Sequence, residues 1–289
     1  MAKGTLIPIG GNEDKGAESL NEKYTLDFID DGILATVVKE SGGLEAKIVV
    51  VPTASSIQDE VGKAYLDSFA RLGCKNVQVL SINSHEEAES ETNMNALTEA
   101  KCIMFSGGDQ SKITKHIKDT KFHDLLNQKY QNEPFVIAGT SAGAMCMSFE
   151  MIAGGRTTES LLKGSVRLKK GMGFVPELVI DSHFIKRGRF SRLAQSMANF
   201  PHLLGVGLAE DTGIVIKDKK FTVIGSGMVV VCDPSELSNN NINLLEKNMP
   251  LSMTDLKVHI LAFGDTFDIE QRKPLVMTME EYNKVQELS

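Results

Sequence analysis

Phe135-Val136-Ile137-Ala138-Gly139-Thr140-Ser141-Ala142-Gly143-Ala144-Met145 is the stretch whose reading decides the fold. Residues 135–138 form a short apolar run, Gly139 to Gly143 fits G-x-S-x-G, and residues 142–151 are helix-prone. A strand that turns sharply into a helix is a unit of an α/β sheet. Glycines flank the serine because so tight a turn leaves no room for side chains. Ser141 then projects from the strand end as a candidate nucleophile. The Ala142 amide, at the helix N-terminus, faces the place where an oxyanion would develop. A small-residue turn packed under a helix gives the same pattern without chemistry, but the strand before it and the helix after it favour the catalytic reading. Cys146, one helical turn further on, is a rival nucleophile that reads better as core.

Outward from this turn the chain keeps one rhythm. Upstream, residues 4–9 and 46–51 read as strands, closed by Gly10-Gly11-Asn12 and Pro52. Residues 58–72 carry Val61, Tyr65, Phe69 and Leu72 at helical spacing. Residues 76–82 are strand-like, 93–100 a short helix, 102–105 a strand closed by Ser106-Gly107-Gly108, and 110–129 a helix. Strands and helices in alternation imply a parallel sheet covered on both faces. Downstream, 204–208, 213–216, 221–224 and 228–231 are short strands, with Asp218-Lys219 and Gly225-Ser226-Gly227 as hairpin connections. An antiparallel extension is therefore expected to join the parallel sheet. No repeat or linker interrupts the chain, so residues 1–289 are expected to form one domain, with 233–289 as a peripheral extension.

The net charge of −7 carries none of the basic excess of a nucleic-acid binder. No run of 18 apolar residues is present for a membrane span, and the N-terminal residues lack the pattern of a secretory signal. Cys74, Cys102, Cys146 and Cys232 are scattered, with no C-x-x-C pair, and read as reduced core residues of a cytoplasmic protein.

A serine nucleophile needs a base, and the base a carboxylate. His183 closes the apolar run of Leu178-Val179-Ile180-Asp181-Ser182-His183-Phe184, at a strand end where α/β sites collect their groups. His85, His116, His123, His202 and His259 have less suggestive settings. Glu210, Asp211 and Asp181 all remain candidates for the carboxylate. Glu210 would give the order serine, histidine, acid, which differs from serine, acid, histidine in the common α/β-hydrolases. The Gly108 amide, after a second strand, is a candidate for the other oxyanion donor, or a plain helix start capped by Asp109. Lys186-Arg187-Gly188-Arg189-Phe190-Ser191-Arg192 places four cations beside His183, suited to a substrate with a free carboxylate.

Taken in order, six segments resemble the cyanophycinase and aspartyl dipeptidase (peptidase E) family of serine peptidases. They are Gly4-Thr5-Leu6 through Ile9-Gly10-Gly11 to Glu13-Asp14-Lys15; Pro52-Thr53-Ala54-Ser55; Ser106-Gly107-Gly108-Asp109-Gln110; Gly139 to Ala144; Asp181-Ser182-His183-Phe184 with Arg187, Arg189 and Arg192; and Glu210-Asp211-Thr212. The cyanophycinase branch is the more similar. The resemblance implies a flavodoxin-like three-layer α/β sandwich related to class I glutamine amidotransferases. It implies Ser141 as nucleophile, His183 as base, Glu210 as orienting acid, and the Gly108 and Ala142 amides as oxyanion hole. Gln110, Asp181, Ser182, Arg187, Arg189 and Arg192 would line the substrate pocket. It further implies a cytoplasmic homodimer that needs no metal or other cofactor and cleaves β-aspartyl-arginine units of cyanophycin. Family cyanophycinases carry glutamine where this chain has Ser182, a shorter side chain, so β- and α-aspartyl dipeptides are alternative substrates. A non-catalytic module holding a nucleotide or anion at the glycine turns is a further alternative, although no Walker-type lysine follows either turn.

Overall fold

Side-chain alternation decides which layer each strand face meets. Leu6, Ile103, Phe105 and Ile137 point to one core, while Ile7, Met104, Val136 and Ala138 point to another. Both faces are buried because these strands sit in the middle of a layered molecule. The computed structural model of the chain describes residues 2–16, 26–155, 161–278 and 280.

The main sheet has nine strands. Its parallel half runs β3 (Val77–Val79), β2 (Ile48–Val51), β4 (Cys102–Phe105), β5 (Val136–Thr140) and β1 (Thr5–Ile9). Register fixes the strand ends together, with Ile9 opposite Thr140 and Phe105 opposite Gly139. The loops carrying Gly10, Gly108 and Ser141 thus leave one edge of the sheet, the edge where such folds place ligands. Helices Ile33–Glu40 and Gln58–Arg71 cover one face through Ile33, Leu34, Val37, Tyr65 and Phe69. Helices Glu91–Glu99, Gln110–Ile117 and Lys121–Asn132 cover the other. This is the expected flavodoxin-like three-layer arrangement.

The expected single helix over 110–129 is two helices. Asp119 takes a left-handed φ of 60°, and the Thr120 hydroxyl accepts from the His123 N–H to start the second. The helix expected over 142–151 lasts one turn, Ala142–Met145, and the chain then forms the hairpin β6 (Glu150–Gly155) and β7 (Val166–Lys170).

The antiparallel extension is divided between two sheets. After β8 (Leu178–Asp181) and β9 (Leu204–Leu208) come β10 (Thr212–Lys217) and β11 (Lys220–Gly225), which extend the main sheet beside β1. Asp218 and Lys219, at φ 47° and 62°, make the expected tight hairpin between them. Gly225-Ser226-Gly227 is not a hairpin but carries the chain across to β12 (Val229–Asp233). β12 joins β9, β8 and β13 (Lys257–Leu261) in a second, four-stranded sheet. One face of that sheet, with Ile180, Val206 and Val231, shares the core of the main sheet. The other, with Val179, Val230 and Cys232, packs under Leu193 and Met197 of helix Phe190–Asn199. β14 (Thr266–Asp268) and β15 (Lys273–Leu275) finish the edge of the main sheet. The described part of 233–289 therefore supplies three outer strands; residues 279 and 281–289 lie outside the described residues. Among the described residues no helix is long and apolar enough to cross a membrane.

Candidate active site

Ser141 stands between β5 and the one-turn helix at φ 51°, ψ −105°, a conformation that costs a non-glycine residue about 1–3 kcal/mol. The surroundings hold it there. Its N–H donates to the Ile9 carbonyl at 2.8 Å, and its own carbonyl accepts from the Ala144 and Met145 amides. A side chain at Gly139 would meet the Gly143 backbone at 2.6 Å, and one at Gly143 would meet the Phe105 carbonyl at 2.4 Å. The G-x-S-x-G spacing thus records the close passage of β5, β4 and the short helix.

Gly107 and Gly108 border the same point. A Cβ at Gly107 would lie 3.5 Å from the Ser141 Cβ. Gly108, at φ 140°, lies so close to the Ala54 carbonyl that a Cβ would sit 2.1 Å from its oxygen. Ala54 and Ser55 follow β2, and the Asp109 N–H donates to Ala54 at 3.0 Å. Asp109 also caps helix Gln110–Ile117 by accepting from the Ser111 N–H, as the plain helix-start reading expects.

His183 arrives from the second sheet, at the end of β8, with φ 48°. Its N–H donates to the Gly10 carbonyl at 2.8 Å, and its ring lies against Gly11. Nδ1–H donates to Glu210 Oε1 at 3.0 Å; an ionised carboxylate only accepts, so the proton sits on Nδ1 and Nε2 is left as the acceptor. Burial pushes the imidazole below its ordinary range; the Arg187 and Arg189 charges add to this, while Glu210 opposes it. The neutral, proton-accepting form is the one favoured. Asp211 has a different task. Its Oδ1 accepts from the Asp14 N–H and its Oδ2 from Ser226 Oγ, and its own N–H donates to Gly11. Of the acids left open by sequence, Glu210 is the one that reaches a histidine.

Ser141 Oγ lies 3.4 Å from Ser182 Oγ, which also donates to the Met145 sulfur. Asp181 is fully buried and bound by two nitrogens of Arg192, itself 4% exposed. Arg189 donates to Asp181 Oδ1 at 3.3 Å and to the Ser182 carbonyl at 2.7 Å. Asp181 and Arg192 thus form an internal ion pair under the site, and Arg187, exposed beside His183, is the cation turned outward. The Gln110 amide donates to the Ile152 carbonyl at 2.6 Å, tying the start of its helix to β6. Cys146 is fully buried with its thiol on the Gly143 carbonyl, and burial pushes that thiol far up, so it is core. Among the described residues no three His, Cys, Asp or Glu side chains are grouped to hold a metal ion.

Two residues carried no assigned role in the sequence. Gly11 forms the surface under the His183 ring. Glu13, 2% exposed, accepts from Tyr65, Lys15 and Thr140, the residue just before Ser141. The acidic side chain four residues after β1 was visible; its burial was not, because nothing local marks it.

Comparison with known proteins gives the family from two directions and the fold from a third. The family model "Peptidase family S51" matches residues 20–224. The cyanophycinase of Trichormus variabilis is 34% identical over 94% of this chain and 88% of its own length. That of Geminocystis herdmanii is 31% identical over 96% and 98%. A peptidase from an acI-B1 actinobacterium shares the fold with a TM-score of 0.60 at 20% identity, over 91% of this chain and 98% of that one. A putative peptidase E from Listeria monocytogenes EGD-e does so with a TM-score of 0.51 at 18% identity, over 76% and 98%.

Proposed function

The chain belongs to peptidase family S51, and from that premise we propose that it cleaves β-aspartyl-arginine units of cyanophycin through an acyl-enzyme on Ser141. The observation that carries this is the strained Ser141 turn, whose hydroxyl lies 3.4 Å from Ser182 Oγ, next in the chain to a histidine already oriented by Glu210 at 3.0 Å. Ser141 Oγ attacks the amide carbonyl while His183 Nε2 takes its proton. Glu210 holds the imidazolium that forms. The amides of Gly108 and Ala142 receive the oxyanion, a contribution worth about 3–4 kcal/mol per donor in serine peptidases. His183 then returns the proton to the leaving amine. Water, deprotonated by His183, attacks the ester; collapse of the intermediate frees the acid and restores the Ser141 hydroxyl.

Arg187 and Arg189 are the cations proposed to hold a substrate carboxylate; the exposure of Arg187 beside His183 supports this, and Arg189 rests on the Asp181–Arg192 pair. Ser182 favours a second reading. Its hydroxyl is short and turned toward Ser141 and Met145, which suits a β- or α-aspartyl dipeptide as well as a polymer. The family resemblance also suggests a homodimer in the cytoplasm; light scattering on the purified chain reports the mass.

The deciding experiment compares hydrolysis of cyanophycin, β-Asp-Arg, β-Asp-Leu and α-Asp-Leu, with Ser141→Ala as control. Polymer cleavage lost in the variant supports the first reading. Cleavage of dipeptides alone moves the chain to an aspartyl dipeptidase, and turnover that survives Ser141→Ala overturns the mechanism.

A further inference from the structure

We propose that Glu13 is the positioning residue of the nucleophile turn, acting through Thr140; this rests on the reading of Ser141 as nucleophile. The Glu13 carboxylate accepts from Thr140 Oγ1 at 2.6 Å on one oxygen, and from Tyr65 Oη at 2.6 Å and Lys15 Nζ at 2.8 Å on the other. Thr140 is the last residue of β5, and the next residue carries the left-handed φ of 51°. A short hydrogen bond at that point fixes where the strand ends and the turn begins. Tyr65 belongs to helix Gln58–Arg71, so Glu13 ties the turn to the layer on the far face of the main sheet.

A buried carboxylate is costly unless paired and hydrogen-bonded. Burial alone would push Glu13 up. The Lys15 charge and the hydrogen bonds from Lys15, Thr140 and Tyr65 override it and hold the carboxyl below its ordinary value. The group is therefore an anion with every bond directed, not a neutral filler.

The same loop reaches His183 and Asp211, the residue next to Glu210. Gly10 accepts from the His183 N–H, Gly11 underlies the His183 ring and accepts from the Asp211 N–H, and the Asp14 N–H donates to the Asp211 carboxylate beside Glu210. Residues 10–14 thus connect the nucleophile turn, the base and the neighbour of the acid, which arrive from two different sheets, and Glu13 is the member of the loop that addresses the nucleophile turn.

The test is kinetic. Glu13→Gln keeps the shape but turns one acceptor into a donor, and Thr140→Val removes the donor while keeping a β-branched strand residue. Each is expected to lower kcat by about ten- to a hundred-fold with KM nearly unchanged, the size of effect a small misplacement of a reacting group produces. The double variant is expected to lose no more than the worse single one, because both break one contact. Thr140→Ser, which restores the hydroxyl, is expected to recover most of the rate; a purely structural role would not respond to the hydroxyl in this way. A kcat for Thr140→Val near that of the unaltered chain, equal losses in Thr140→Ser and Thr140→Val, or losses that multiply in the double variant would overturn the proposal. Should Glu13→Gln fail to fold, the two Thr140 variants decide alone. Ser141→Ala run beside them separates the two readings: turnover persisting there removes the nucleophile itself, whereas loss there with full activity in Thr140→Val removes only Glu13.

Discussion

Replacing Gly11 by alanine should disable the base while leaving the rest of the site in place. At Gly11 a Cβ would lie 2.4 Å from His183 Cε1 and 2.6 Å from Nε2, where ordinary contact begins at 3.4 Å. The ring would have to retreat by the difference between 3.4 and 2.4, about 1 Å. Its backbone cannot follow, because the His183 N–H is held by Gly10 and the residue already sits at φ 48°. The imidazole must therefore rotate, which pulls Nδ1 away from Glu210 and displaces Nε2 with it. A misplacement of about 1 Å corresponds to a loss of about a hundred-fold in kcat, or about 2.7 kcal/mol of barrier. The φ of 113° at Gly11 adds strain to the folded state of about 1–3 kcal/mol. Steady-state kinetics on the best aspartyl substrate, with thermal unfolding in parallel, measures both. A folded Gly11→Ala variant with a kcat close to that of the unaltered chain would refute the account of how His183 is seated.

Other perturbations have equally definite directions. The proposed mechanism uses His183 as a neutral base and its pKa is lowered, so kcat/KM should rise with pH through a midpoint below the ordinary histidine value of 6.5. Arg187→Gln removes a repelling cation and should move that limb to higher pH, whereas Glu210→Gln should move it lower as well as slowing the reaction; movement in the opposite senses contradicts the assigned geometry. Asp181→Asn leaves Arg192 buried without its counter-charge and should cost about 3–5 kcal/mol in urea unfolding; a loss below about 1 kcal/mol would show the pair to be solvated. All four cysteines are buried, so iodoacetamide on the native enzyme should leave activity intact, and Cys146→Ser should still turn over; thiol-dependent inactivation would return Cys146 to the list of nucleophiles.

The nucleophile turn was legible because strand, turn and helix are contiguous, and each steric demand is met by a residue within a few positions. The second glycine turn was legible for the same reason. His183 was harder. Its position depends on β8 belonging to a separate sheet whose inner face shares the main sheet's core, and no local pattern in Leu178–Asp181 says which sheet a strand joins. The choice of Glu210 over Asp211 turns on one residue at φ 44°, which sends neighbouring carboxylates in different directions. Arg192 read as a pocket cation because charge is visible in sequence and burial is not. The break at Asp119-Thr120 escaped the helical pattern because apolar spacing continues through it on both sides.

The two sheets have a mechanical consequence. Ser141 is anchored to one and His183 to the other, with Glu210 at the crossover between β9 and β10. Any sliding of the layers past each other would have to break the His183 N–H bond to Gly10 and the Asp211 N–H bond to Gly11, which cross between them. The loop of residues 10–14, which accepts the His183 and Asp211 N–H groups and donates to the Asp211 carboxylate, is the strap that spans the two layers at this point.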